Sequence, residues 1–222
     1  MSVTARHPAR FSDAILPVIE HMLRDEEEIL PGALILDPFA GTGKGVTFLR
    51  EQGYDARGIE LEYEWAVQSE SVLVGNARDL PFADGTFDAV VTSPCYGNRM
   101  ADHHEAKDDS RRNTYRHALG RPLSEGSAGA MQWGPEYRDL HVCAWREAHR
   151  VLRPGGIFIL NIKDHIRAVE RMYVSSWHYC ALYQAGFRFE DMALVECPGN
   201  RQGQNGQARV PHEYVIMFKK PA

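Results

Sequence analysis

The chain has 222 residues, 44% hydrophobic and 25% charged, which excludes a disordered, collagen-like or coiled-coil protein. A net charge of −5 argues mildly against a protein that coats nucleic acid, so any such contact is expected to be local. No apolar run approaches the ~18 residues of a membrane span, the opening MSVTARHPARFSD carries no apolar signal core, and Cys95, Cys143, Cys180 and Cys197 show no CxxC spacing.

These features lead us to expect one cytoplasmic domain over 1–222, with free thiols and no metal site. Residues 11–24 place apolar side chains at helical spacing (Ile15, Val18, Ile19, Met22, Leu23), with Ser12 or Asp13 as the cap. ALILD at 33–37 reads as a buried parallel strand, and PFAGTGKG leads into a helix over 44–52. A strand at 56–61, a helix from Tyr63, a strand in SVLVGNA and a strand over 87–94 follow. Residues 97–137 hold no buried strand and are rich in Arg, His, Gly and Ser, the profile of a functional insertion. Next come a helix over 138–152, a strand over 156–162 and a helix over 169–185. The strands FRFEDMALVEC and HEYVIMFKK close the chain with no helix between them, so they are expected to pair antiparallel.

Strands alternating with helices predict a three-layer α/β sandwich around a mainly parallel sheet. Ligands of such sheets bind beyond the carboxyl ends of the strands. DPFAGTG, Glu60, Asn76 and TSPCY all fall at such ends.

The glycine loop admits three readings. A P-loop needs a glycine where Pro38 stands and a hydroxyl where Gly45 stands. A dinucleotide fingerprint needs a third glycine where Val46 stands. A loop for S-adenosylmethionine (SAM) fits: Gly41 and Gly43 let the backbone approach a ligand, Glu60 can accept both ribose hydroxyl protons, and Asn76 offers an amide to an adenine edge.

DPFAGTG at 37–43 together with TSPCY at 92–96 resembles the class I SAM-dependent methyltransferases of the amino-methylating DNA type, in particular the cytosine-N4 group with its TSPP[YF] signature. HPARFS at 7–12, RVLRPGGIFIL and HEYVIMFKK extend the resemblance over nearly the whole chain. It implies a Rossmann-like fold with a seven-stranded, mainly parallel sheet whose last strand is antiparallel. For the cofactor it implies Phe11, Ser12, Asp37, Phe39, Gly41, Gly43, Glu60, Asn76, Ala77 and Ser93. For catalysis it implies Ser93, Pro94, position 95 and Tyr96, acting on cytosine-N4 or adenine-N6 in DNA, cytosine first. Ser93 Oγ and the Pro94 carbonyl would draw the amino lone pair out of conjugation, and Tyr96 would stack on a flipped base.

The sequence departs from the signature at Cys95, where a proline is usual. A Pro-Cys pair is also how cytosine-C5 methyltransferases present a thiolate, so Cys95 reads either as packing or as a nucleophile. Arg111, Arg112, Arg116 and Arg121 form an acid-free cluster around Tyr115 and His117 that suits phosphates and bases. Asn98 and Arg99 behind the catalytic loop, and Arg201 and Arg209 before the final strand, complete the expected substrate wall. The insertion is short for a recognition domain, so a homodimer or a specificity partner is expected. RNA base methylation and small-molecule N-methylation are the other readings of the same residues.

Overall fold

The computed structural model describes residues 5–9, 12–27, 29–98, 101, 114–197 and 209–222. A seven-stranded sheet runs in the order β3-β2-β1-β4-β5-β9-β8. Its strands are β1 (Leu34–Asp37), β2 (Asp55–Glu60), β3 (Val72–Val74), β4 (Phe87–Thr92), β5 (Leu152–Ile162), β8 (Arg188–Glu196) and β9 (His212–Lys219). All neighbouring pairs from β3 to β5 are parallel, whereas β9 runs antiparallel to both β5 and β8. This is the Rossmann-like arrangement of class I methyltransferases, with the expected antiparallel last strand.

Alternation along the central strands explains why they lie in the middle. Ile35, Val91, Ile157 and Ile159 face one core, with Ile15, Ile19, Val46 and Leu49. Leu36, Val90, Phe158 and Leu160 face the other, with Trp145, Ala148, Val174 and Leu182. Both faces are apolar because helices cover both. The first core is closed by α1 (Leu16–His21) and α2 (Lys44–Glu51), the second by α5 (Pro135–Val151) and α6 (Val174–Gln184). Between β2 and β3 lies only one turn of helix, α3 (Tyr63–Ala66).

The order reverses between β1 and β4, each of which is followed by a loop that turns away from its neighbour's. That reversal opens a crevice at their carboxyl ends. Thr92 Oγ1 donates to Asp37 Oδ1 across it at 2.7 Å, inside the protein.

Several elements differ from the sequence-based expectation. The first helix starts at Leu16 and passes into a π-helical turn over Met22–Glu26, with no side-chain cap from Ser12 or Asp13. Pro17 in its first turn accounts for the late start, since it can enter a helix only there. Residues 169–172, expected at the start of the helix over 169–185, instead belong to a hairpin of β6 (His165–Arg167) and β7 (Glu170–Met172). Its turn places Ala168 and Val169 at φ +48° and +68°, a conformation that no glycine or asparagine there announces. Asp164 explains the break: its buried carboxylate accepts from Arg171 Nε and from the Ser175 N–H at the head of α6. Within the insertion the chain forms α4 (Tyr115–Leu119) and a 3-10 turn over Ala128–Ala130.

Candidate active site

At the carboxyl ends of β1, β2, β4 and β5 lies a cavity of about 350 Å³. Its floor is the loop 38–45 between β1 and α2. Gly41 turns that loop at φ +55°, where only glycine sits without strain. Its N–H then donates to Glu60 Oε2 at 2.9 Å. The other oxygen, Oε1, accepts from the Glu62 N–H at 2.8 Å. Gly58 lets loop and strand close together, because a Cβ there would lie 2.5 Å from Ala40 Cβ. Burial pushes the Glu60 carboxyl up to about 7, against the backbone bonds that favour its ionised form.

These residues fit SAM. A carboxylate held by two backbone donors keeps lone pairs for the paired hydroxyls of a ribose. Gly75, Asn76 and Ala77 line the cavity beyond it, and Asn76 is fixed by accepting from the Arg78 N–H. Trp65, also in the wall, carries a buried indole N–H with no hydrogen-bond partner among the described residues. His7 packs edge-on against Trp65 at 4.3 Å between ring centroids, so the N-terminal segment closes one side. Phe39 and Ser93 line the cavity, whereas Asp37, Gly43 and Ser12 do not; Asp37 is buried behind the loop, accepting from Thr92 and the Phe39 N–H. Phe11 lies outside the described residues.

Ser93, Pro94, Cys95 and Tyr96 follow β4 and form the opposite wall. The Cys95 thiol sits against the Tyr115 hydroxyl, and burial pushes it up to about 12. It is therefore a neutral thiol at physiological pH, poorly suited to attack a ring carbon. A buried polar chain holds the Cys95 carbonyl instead. Trp145 Nε1 donates to His178 Nδ1 at 3.1 Å, His178 Nε2 lies 2.9 Å from the Tyr137 hydroxyl, and that hydroxyl donates to Cys95 O at 2.7 Å. The indole can only donate, so His178 is neutral with its proton on Nε2, and burial pushes it well below its usual range.

Three polar residues that the sequence did not single out meet this loop. Asn161 and Lys163 lie at the end of β5, and Glu213 at the start of β9, which the antiparallel return brings to the same end of the sheet. Ser93 Oγ and the Tyr96 hydroxyl are 2.9 Å apart, and Tyr96 donates to Glu213 Oε2 at 3.1 Å. Asn161 Nδ2 lies within 3.1 Å of both hydroxyls and 2.9 Å from Glu213 Oε2. Lys163 Nζ approaches Glu213 Oε1 at 3.8 Å.

The expected substrate residues divide. Asn98 lines the cavity; Arg116 is exposed on α4 and Arg209 is half-buried, both away from the lining. Arg99, Arg111, Arg112 and Arg201 lie outside the described residues. Arg121, expected to offer its charge outward with that cluster, is engaged internally. It donates to Glu62 Oε2 at 2.8 Å and to both oxygens of Glu64. Glu62 is fully buried and also accepts from the Ser124 N–H and hydroxyl. This latch holds the segment that carries Tyr115, Ser127 and Gly129 against the cavity. Among the described residues, no cluster of His, Cys, Asp or Glu could hold a metal ion, and no helix is long and apolar enough to cross a membrane.

A sequence profile described as a methyltransferase domain matches residues 36–112, which contain the glycine loop, Glu60 and the segment 92–96. No curated protein matches the chain. Among solved structures, a SAM-dependent methyltransferase from Methanosarcina mazei is similar with a TM-score of 0.60 at 16% identity, over 92% of this chain and 97% of that one. A methyltransferase from Haloferax volcanii, in complex with the activator Trm112, is similar with a TM-score of 0.58 at 14% identity, over 94% and 90% of the two chains. The [4+2]-cyclase SpnF is similar to the same degree, TM-score 0.58 at 16% identity, over 98% and 85%. A fold shared with a cyclase does not choose the reaction. Together, the domain match, the fold and the cradle around Glu60 support SAM as the cofactor and SAM-dependent methyl transfer as the activity.

Proposed function

We propose that this protein methylates an exocyclic amino group of a nucleobase, cytosine-N4 in DNA. The observation that carries the reading is the placement of Ser93, Pro94 and Tyr96 in the wall facing the SAM cradle. An exocyclic amine on an aromatic base is a poor nucleophile because its lone pair is delocalised. When bound, SAM supplies an electrophilic methyl on a sulfonium. The chain's own task is to localise and aim the lone pair. Ser93 Oγ already accepts from Asn161, and its remaining lone pair can take one amino proton. The Pro94 carbonyl takes the other, in a loop whose next carbonyl is anchored by Tyr137. The neutral Cys95 thiol speaks against attack on cytosine C5.

A second reading, N-methylation of a small molecule, is favoured by the net charge of −5 and by the internal engagement of Arg121. A specificity partner remains part of the proposal: the insertion at 97–137 is short for a recognition domain, and the Haloferax neighbour is in complex with an activator. Tritiated SAM offered with unmethylated genomic DNA, total RNA or a metabolite extract separates the readings. Mass spectrometry of digested DNA should show N4-methylcytosine. Label in RNA or metabolites alone would refute the DNA assignment.

A further inference from the structure

We infer that Ser93, Tyr96 and Glu213 form an exit path for the proton that the acceptor amine must lose. The inference rests on the amino-methylation reading and assigns a role to a hydroxyl and a carboxylate that this reading leaves without one.

Hydrogen-bond direction makes the case. Glu213 as a carboxylate can only accept, so the Tyr96 hydroxyl, 3.1 Å away, donates to it. Its oxygen is then free to accept, and the Ser93 hydroxyl at 2.9 Å donates to it. Asn161 enforces this order. Its amide presents Nδ2 to the carboxylate at 2.9 Å and to both hydroxyls at 3.1 Å; two N–H protons serve the carboxylate and one hydroxyl, and because this nitrogen accepts nothing, neither hydroxyl can turn its proton toward it. Every proton from Ser93 onward therefore points toward Glu213. Ser93, Tyr96 and Glu213 all line the cavity, so the path begins where the acceptor would sit and ends where solvent can collect the proton. Lys163, 3.8 Å from the far oxygen, is the one cationic group within 4 Å of Glu213 among the described residues. From the loop after β4 it faces Tyr96, and from β5 the neutral Asn161. Tyr96 does not ionise itself: burial and the neighbouring Glu213 push its hydroxyl well above the usual range, so it passes a proton only by receiving another.

The step balances. The nitrogen lone pair forms the N–CH3 bond as the S–CH3 bond breaks, and that electron pair stays on sulfur as a neutral thioether. The nitrogen, now cationic, gives its proton to Ser93 Oγ while the Ser93 proton moves to Tyr96 and the Tyr96 proton to Glu213. One sulfonium charge and one carboxylate charge disappear together, and no other reactant is needed.

Tyr96→Phe and Glu213→Gln test the path. The first removes one oxygen and keeps the ring; the second keeps an acceptor for Tyr96 but cannot hold the proton as a carboxylate does. Single-turnover rates are measured with tritiated SAM and unmethylated genomic DNA across the pH range, with SAM affinity by calorimetry. Each variant should lose roughly 10²-fold in rate, the scale of one acid–base group. KM for DNA and SAM affinity should stay unchanged. The acid limb of the wild-type profile should vanish in Glu213→Gln. If Glu213→Gln fails to fold, Tyr96→Phe carries the test alone. Wild-type rates in Tyr96→Phe, with wild-type protein methylating an amino nitrogen, overturn the path and leave the function standing. A wild-type product methylated on carbon, or no product, overturns the function itself.

Discussion

Glu60 should make cofactor binding depend on pH in a range where most carboxylates are silent. Burial pushes its carboxyl from 4.5 up to about 7, yet two ribose hydroxyls need it ionised. Below that midpoint the ligand must first drive off a proton. Each pH unit below it should weaken binding about tenfold, ~1.4 kcal/mol, and above it affinity should level off. S-adenosylhomocysteine is the better probe, since it keeps the ribose and lacks the sulfonium charge. Calorimetry in buffers of different ionisation enthalpy should report proton release on the acid side. Glu60→Gln keeps the volume and the two backbone contacts in part. It should bind more weakly by ~1.5–3 kcal/mol for the lost charge-assisted bond, with no slope across the same range. Flat wild-type affinity would refute the argument. A slope that persists in Glu60→Gln would move the titration to another group, of which Asp37, pushed up to about 6 by burial, is the nearest candidate.

The same Glu60 shift has a stability sign. Because its folded-state value is raised, the stabilisation it contributes is present below 4.5 and is lost as pH rises through about 7, so Glu60→Gln should melt higher than wild type under alkaline conditions. Cys95→Ala should keep most activity, and a DNA containing 5-fluorocytosine should not trap the enzyme; a covalent adduct on a denaturing gel would sink the amino assignment. Gly58→Ala should cost at least ~1–3 kcal/mol in chemical denaturation, since the new methyl would overlap Ala40 and Val72; wild-type stability would mean the loop moves freely. Arg121→Ala removes the guanidinium from the buried Glu62 side chain, and hydrogen exchange should rise across residues 114–134. Unchanged exchange there would show that Ser124 alone holds the segment.

What was legible in the sequence follows from how local each signal is. ALILD and GIFILNI read as central strands because burial on both faces makes a run continuously apolar. The loop 37–43 and Glu60 were legible because glycines and an acid at strand ends are local marks. Glu213 was not, because it lies 117 residues from Tyr96 and reads as one polar position of a strand. Only the antiparallel return of β9 carries it to the site. Lys163 and Asn161 were hidden as the tail of an apolar run. Arg121 looked unpaired because its acids stand 57 and 59 residues upstream. The hairpin at 165–172 escaped notice because its reversed turn is built from Ala168 and Val169, residues that favour other conformations.

The bond between Thr92 and Asp37 sets an alignment tolerance for the whole reaction. On the proposed reading, the loop that carries the methyl donor springs from β1, and the loop that aims the acceptor springs from β4. Their two roots are pinned at 2.7 Å, deep in the sheet and away from solvent. Asp37 also accepts from the Phe39 N–H, so one carboxylate fixes where the donor loop departs and where the catalytic loop begins. On that reading donor and acceptor are registered before either molecule arrives, by a pair of side chains that lies outside the cavity lining. A displacement of about 1 Å at a reacting centre can cost on the order of 10²-fold in rate. Mutations at this junction should therefore be felt as lost aim, with both ligands still bound.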